Sequence, residues 1–94
     1  MEYQAHIYWT DDKSYKLAMD MKKILISLGC RIGPLNDSVI PHNYSATYHN
    51  RVKNVVERYL SNNHADLSIL IHEKDNSPTQ STNLDIKWIG TPIV

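Results

Sequence analysis

The chain has 94 residues and a mass of 10.9 kDa, too little for two independent cores, so residues 1–94 read as a single domain. A composition of 41% hydrophobic and 21% charged residues is that of a folded globular protein and argues against disorder or a coiled coil. Ten Lys and Arg offset ten Asp and Glu, which leaves no basic footprint for a nucleic-acid partner. The single cysteine, Cys30, can form neither an internal disulfide nor a thiolate zinc site. No apolar run approaches the roughly 18 residues of a membrane helix, and the first residues lack the pattern of a secretory signal. A cytoplasmic protein without a membrane partner is therefore expected.

In chain order, His6-Ile7-Tyr8-Trp9 is rich in β-branched and aromatic residues and stops at Thr10-Asp11-Asp12, which predicts a first strand. Leu17, Met21, Ile24, Leu25 and Leu28 then share one helical face, with Asp12 or Ser14 as the cap and Gly29 as the stop. Cys30-Arg31-Ile32 predicts a short second strand. A turn over 33–38 follows, and a third strand enters from Val39-Ile40-Pro41-His42. Val52, Val55, Val56, Tyr59 and Leu60 predict a second helix behind Asn50. Leu67-Ser68-Ile69-Leu70-Ile71 predicts a buried strand ending at His72. Glu73 to Asn83 is polar and predicts a mobile loop, after which Trp88-Ile89-Gly90 docks back onto the domain.

The order is βαββαβ. With short connections and right-handed crossovers it predicts an α+β, ferredoxin-like domain: a four-stranded antiparallel sheet with two helices on one face. The other sheet face stays open, which suits a ligand, a partner chain or a homodimer.

Five histidines are the densest group of versatile side chains, since imidazole is both a common metal ligand and an acid or base near neutral pH. His6, His42 and His72 fall on predicted strands. The first strand lies between the third and fourth, so His72 comes close to His6, whereas a plain register leaves His42 roughly 10 Å away. Each taken alone could equally be a hydrogen-bonded strand histidine. Glu73, beside His72, could add a carboxylate or simply be solvated. Cys30 at the helix stop reads as packing in preference to a nucleophile. Three scattered glycines make no phosphate loop, and no Gly-x-Ser-x-Gly elbow is present.

Four segments, taken in order, resemble the DOPA 4,5-dioxygenase family: His6-Ile7-Tyr8-Trp9, Gly29-Cys30-Arg31 through Val39-Ile40-Pro41-His42, Leu67-Ser68-Ile69-Leu70-Ile71-His72, and Lys87-Trp88-Ile89-Gly90. The resemblance implies a small non-haem enzyme that opens the ring of a catechol such as DOPA with dioxygen. It also implies Fe(II), or another divalent metal, bound by His6, His42 and His72. His49 is the candidate for the base that accepts the catechol proton. The chain departs from the family pattern at Ile40, Asn43, Glu73, Ser81-Thr82 and Asp85, and at Leu35, where many relatives have histidine. These departures leave an alternative in which a catalytically lapsed relative serves as a small-molecule-binding or dimerisation module.

Overall fold

A computed structural model describes residues 1–36, 38, 40–74 and 86–93. Strand β1 (Glu2–Trp9) leads to helix α1 (Asp12–Ser27), β2 (Arg31–Ile32) and β3 (His42–His49). A 3-10 turn (Asn50–Val52) then enters α2 (Lys53–Asn63), followed by β4 (Ser68–Lys74) and β5 (Lys87–Ile89). The sheet order is β2-β3-β1-β4-β5, with every pairing antiparallel. The α+β class, the antiparallel sheet and the two helices agree with the sequence, but among the described residues the sheet has five strands, not four. The closing segment adds the fifth by pairing Ile89 with Ile69 and Trp88 with Leu70.

Successive strand residues face opposite ways, and the apolar ones keep phase. Ala5, Ile7 and Trp9 of β1, Tyr44, Ala46 and Tyr48 of β3, Ile69 and Ile71 of β4 and Ile89 of β5 are all buried. They meet Ala18, Met21 and Leu25 of α1 and Val56 and Leu60 of α2 in one core. Two buried phenols tie the layers together. The Tyr44 hydroxyl donates to the Ala18 carbonyl at 2.7 Å, and that of Tyr48 donates to the Glu57 carboxylate at 2.9 Å. Both helices therefore lie on the same sheet face.

The buried stripe of α1 runs through Ser14, Ala18, Met21 and Leu25; of the predicted face Leu17 and Leu28 also pack against the core, and only Ile24 is exposed. Its cap is Asp11, not Asp12: the Asp11 carboxylate accepts the Ser14 N–H at 2.8 Å, and the Ser14 hydroxyl accepts the Asp11 N–H at 3.1 Å. Gly29 sits at φ +101° just past the helix, as its stop role requires. The second helix is entered through His49, whose Nδ1 accepts the Arg51 N–H at 3.0 Å, in place of the expected Asn50 cap. Beyond Lys74 the predicted mobile loop lies outside the described residues, as do Val39, Ser81, Thr82 and Asp85.

Candidate functional site

The residues out of phase with the core form the open sheet face. On β1 these are Gln4, His6 and Tyr8; the register sets them beside Thr47, Ser45 and Asn43 of β3 and beside His72, Leu70 and Ser68 of β4. Trp88 of β5 adjoins Leu70, and its ring centroid is 6.1 Å from that of Tyr8.

Within this face His6 and His72 meet. Their Nε2 atoms are 2.9 Å apart, and the rings are nearly parallel, with centroids at 5.0 Å. The Nδ1 of His72 lies 3.0 Å from the Glu73 carbonyl oxygen. A carbonyl only accepts, so that Nδ1 carries a proton, and in the tautomer this selects the Nε2 of His72 presents a lone pair. His6 Nε2–H then donates to it. Burial, with the adjacent His72 adding a smaller contribution, lowers the pKa of His6 below its ordinary value and keeps it uncharged near neutral pH.

The pair suits two neighbouring ligands of one cation. Donors at about 2.1 Å from a metal and at right angles to each other are about 3.0 Å apart, close to the separation found here. The bond from His72 Nδ1 to a backbone carbonyl is the support that metal-binding imidazoles use to fix ring and tautomer. His6 and His72 therefore fit a divalent metal as two of its ligands.

His42 does not join them. It is in phase with buried Tyr44 and pairs with Trp9, so it projects to the helix-covered face, where its ring stacks on Trp9 at 6.1 Å. Among the described residues its buried Nδ1 has no hydrogen-bond partner. The expected three-histidine set is thus divided by the sheet within one chain. Among the described residues no three His, Cys, Asp or Glu side chains are grouped to hold a metal.

His49 is on the open side but pairs with Glu2, four residues from His6, or roughly 13 Å along the strand. With its Nδ1 occupied by the Arg51 N–H, it is not placed to take a proton at the pair. Glu73 is in phase with Ile71 and lines a cavity of about 290 Å³ with Tyr3, Lys53 and Glu57 on the covered face, so only its backbone serves His72. Cys30 is buried and its thiol is pushed up to about 11, in keeping with packing.

Comparison with known proteins decides the family. The family model for the Dopa 4,5-dioxygenase family matches residues 3–94. The chain belongs to the Dopa 4,5-dioxygenase family. Its fold is shared with the crystal structure of a candidate dioxygenase from Nostoc punctiforme PCC 73102, at a TM-score of 0.85 and 21% identity over 98% of this chain and 84% of that one. No curated protein matches the sequence.

Sequence reasoning toward the Dopa 4,5-dioxygenase family did not single out Gln4, which stands on the open face between Thr47 and His72. Its position two residues before His6 on an alternating strand was the available signal.

Proposed function

We propose that this protein is a metal-dependent extradiol dioxygenase acting on a small catechol, with its centre at the His6–His72 pair on the open sheet face. The observation that carries the proposal is the 2.9 Å approach of two imidazole Nε2 atoms supplied by adjacent strands, in a chain of the Dopa 4,5-dioxygenase family. Ring opening by dioxygen needs a centre that admits both catechol oxygens and O2, so the protein must provide few ligands and leave positions open. When bound, Fe(II) supplies the redox-active site at which catechol and dioxygen meet.

The residues do the rest. His72 is held by the Glu73 carbonyl with its Nε2 lone pair turned toward His6. For His6 to present a lone pair at the same point, its Nε2 proton must move to Nδ1, which the neutral ring allows without a change in charge. Tyr8 and Trp88 flank the pair with aromatic surface on which a flat ring can lie. Both atoms of O2 end in the opened product, a semialdehyde.

The test is turnover after anaerobic Fe(II) loading, with DOPA and a simpler catechol supplied under air. A yellow semialdehyde formed with matching oxygen uptake is expected from the wild type, with loss of at least about a hundredfold in His6→Ala or His72→Ala. Colour formation that survives both substitutions would remove the pair from the mechanism.

One observation favours a second reading: the sheet separates His42 from the pair, leaving only two of the three expected ligands together. In that reading the open face with Tyr8, Leu70 and Trp88 binds a small molecule or a second copy without turnover. Absence of product from several catechols by iron-loaded protein, together with a dimer in sedimentation, is its signature.

A further inference from the structure

Gln4 lies on the open face two residues before His6, directly opposite His72 on one side and Thr47 on the other. Directly opposed residues bring their Cβ atoms to about 5 Å, within side-chain reach. The Gln4 Nε2 donates to the Thr47 hydroxyl at 3.4 Å, and Thr47 itself is buried, at 7% exposure. An amide's nitrogen and oxygen diverge from one carbon, so an NH2 held toward β3 turns the carbonyl oxygen away from β3, and His72 stands opposite Gln4 on the other flank. Among the described residues no hydrogen bond reaches that oxygen. A cation beside the imidazoles favours the same orientation, because it repels the amide hydrogens and attracts the oxygen.

Resting on the metal-centre reading above, we propose that the side-chain carbonyl of Gln4 is the third protein donor to the divalent cation held by His6 and His72, with Thr47 as the positioning residue. Carbonyl oxygens are ordinary ligands of divalent cations, and two imidazoles plus one oxygen leave further positions open. The set differs from a two-histidine, one-carboxylate site in being wholly neutral. The full charge of the cation is then left for the substrate to balance. Ligands that give up two protons, such as catechols, are preferred over monophenols.

Cobalt(II) titration of the full chain, read by its visible d–d absorption, tests this without turnover. Gln4→Leu is expected to weaken cobalt binding at least about tenfold and to alter the band, since even supporting residues of metal sites cost that much. Gln4→Glu, which puts a carboxylate in the same place, is expected to tighten binding about tenfold, because added ligand charge raises affinity. Thr47→Val is expected to weaken binding several-fold with the band shape retained. Circular dichroism of each metal-free variant checks the fold. Cobalt binding by Gln4→Leu within about twofold of wild type and with an unchanged spectrum overturns the assignment of Gln4 alone, provided His6→Ala and His72→Ala lose the metal. Should Gln4→Leu not fold, an unchanged affinity in Gln4→Glu overturns it instead. A wild-type chain that takes up no cobalt removes the metal centre and the Gln4 assignment together.

Discussion

His6 is a neutral base held between a like neighbour and a partly buried sheet face, and this sets the acid sensitivity of the metal-free protein. Its pKa in the folded state lies below the ordinary value of 6.5, so above that pH both folded and unfolded chains leave it uncharged. As pH falls below 6.5 the unfolded chain takes up the proton first and stability declines. The loss is complete once pH has passed below the folded value. We expect urea midpoints of the metal-free wild type to drop across this window, and His6→Gln to flatten the drop. An equal decline in the variant would place the sensitivity elsewhere. Metal binding at the proposed centre would share the direction, since protons compete for the same Nε2. Which histidines share a face was legible from phase alone. His6 falls between buried Ala5 and Ile7, and His72 follows buried Ile71, so both point away from the core. His42 stands two residues before buried Tyr44 and therefore points into the covered side. Strand-level distance brought His6 and His72 together correctly. His42 had joined them only through the family resemblance, which carries no information on phase.

Among the elements, the short β5 serves both faces of the sheet, because Trp88 reaches the open face while Ile89 seals the core. Its end is fixed by Gly90 at φ +81°, where an added Cβ would stand 2.6 Å from the Leu67 carbonyl oxygen and 3.2 Å from Nδ1 of His64. Gly90→Ala is expected to destabilise the fold by on the order of 2 kcal/mol. It should also quench the difference between native and unfolded Trp88 fluorescence; a thermal midpoint equal to wild type would show the contact to be loose. The long elements were readable because their patterns are strong: an alternating β1, a helical stripe in α1 and an apolar β4. Three residues carry too little pattern to separate a strand from a docking tail, and so β5 stayed hidden although its return to the domain did not. On the predicted α1 face only Ile24 failed, because small Ala18 and Ser14, not bulky Ile24, face the tightly packed sheet.

For the molecule taken together, one face of the sheet carries the core and the other stays open, where the proposed centre lies. Both helices and the buried aromatics Trp9, Tyr44 and Tyr48 occupy the first. Gln4, His6, Tyr8, His72 and Trp88 occupy the second. No helix among the described residues is long and apolar enough to cross a membrane. The division would let the proposed centre combine a rigid support with accessible coordination positions. It also makes the roles of the histidines separable by substitution, since His42 can be altered on the covered face without touching the pair. The most direct measurement is iron bound per chain after anaerobic Fe(II) loading and desalting. The structure predicts about one iron in the wild type and in His42→Ala, and less than about a tenth in His6→Ala and in His72→Ala. Iron retained by the His6 and His72 variants, or lost from His42→Ala while its fold is intact, would place the metal on the other side of the sheet.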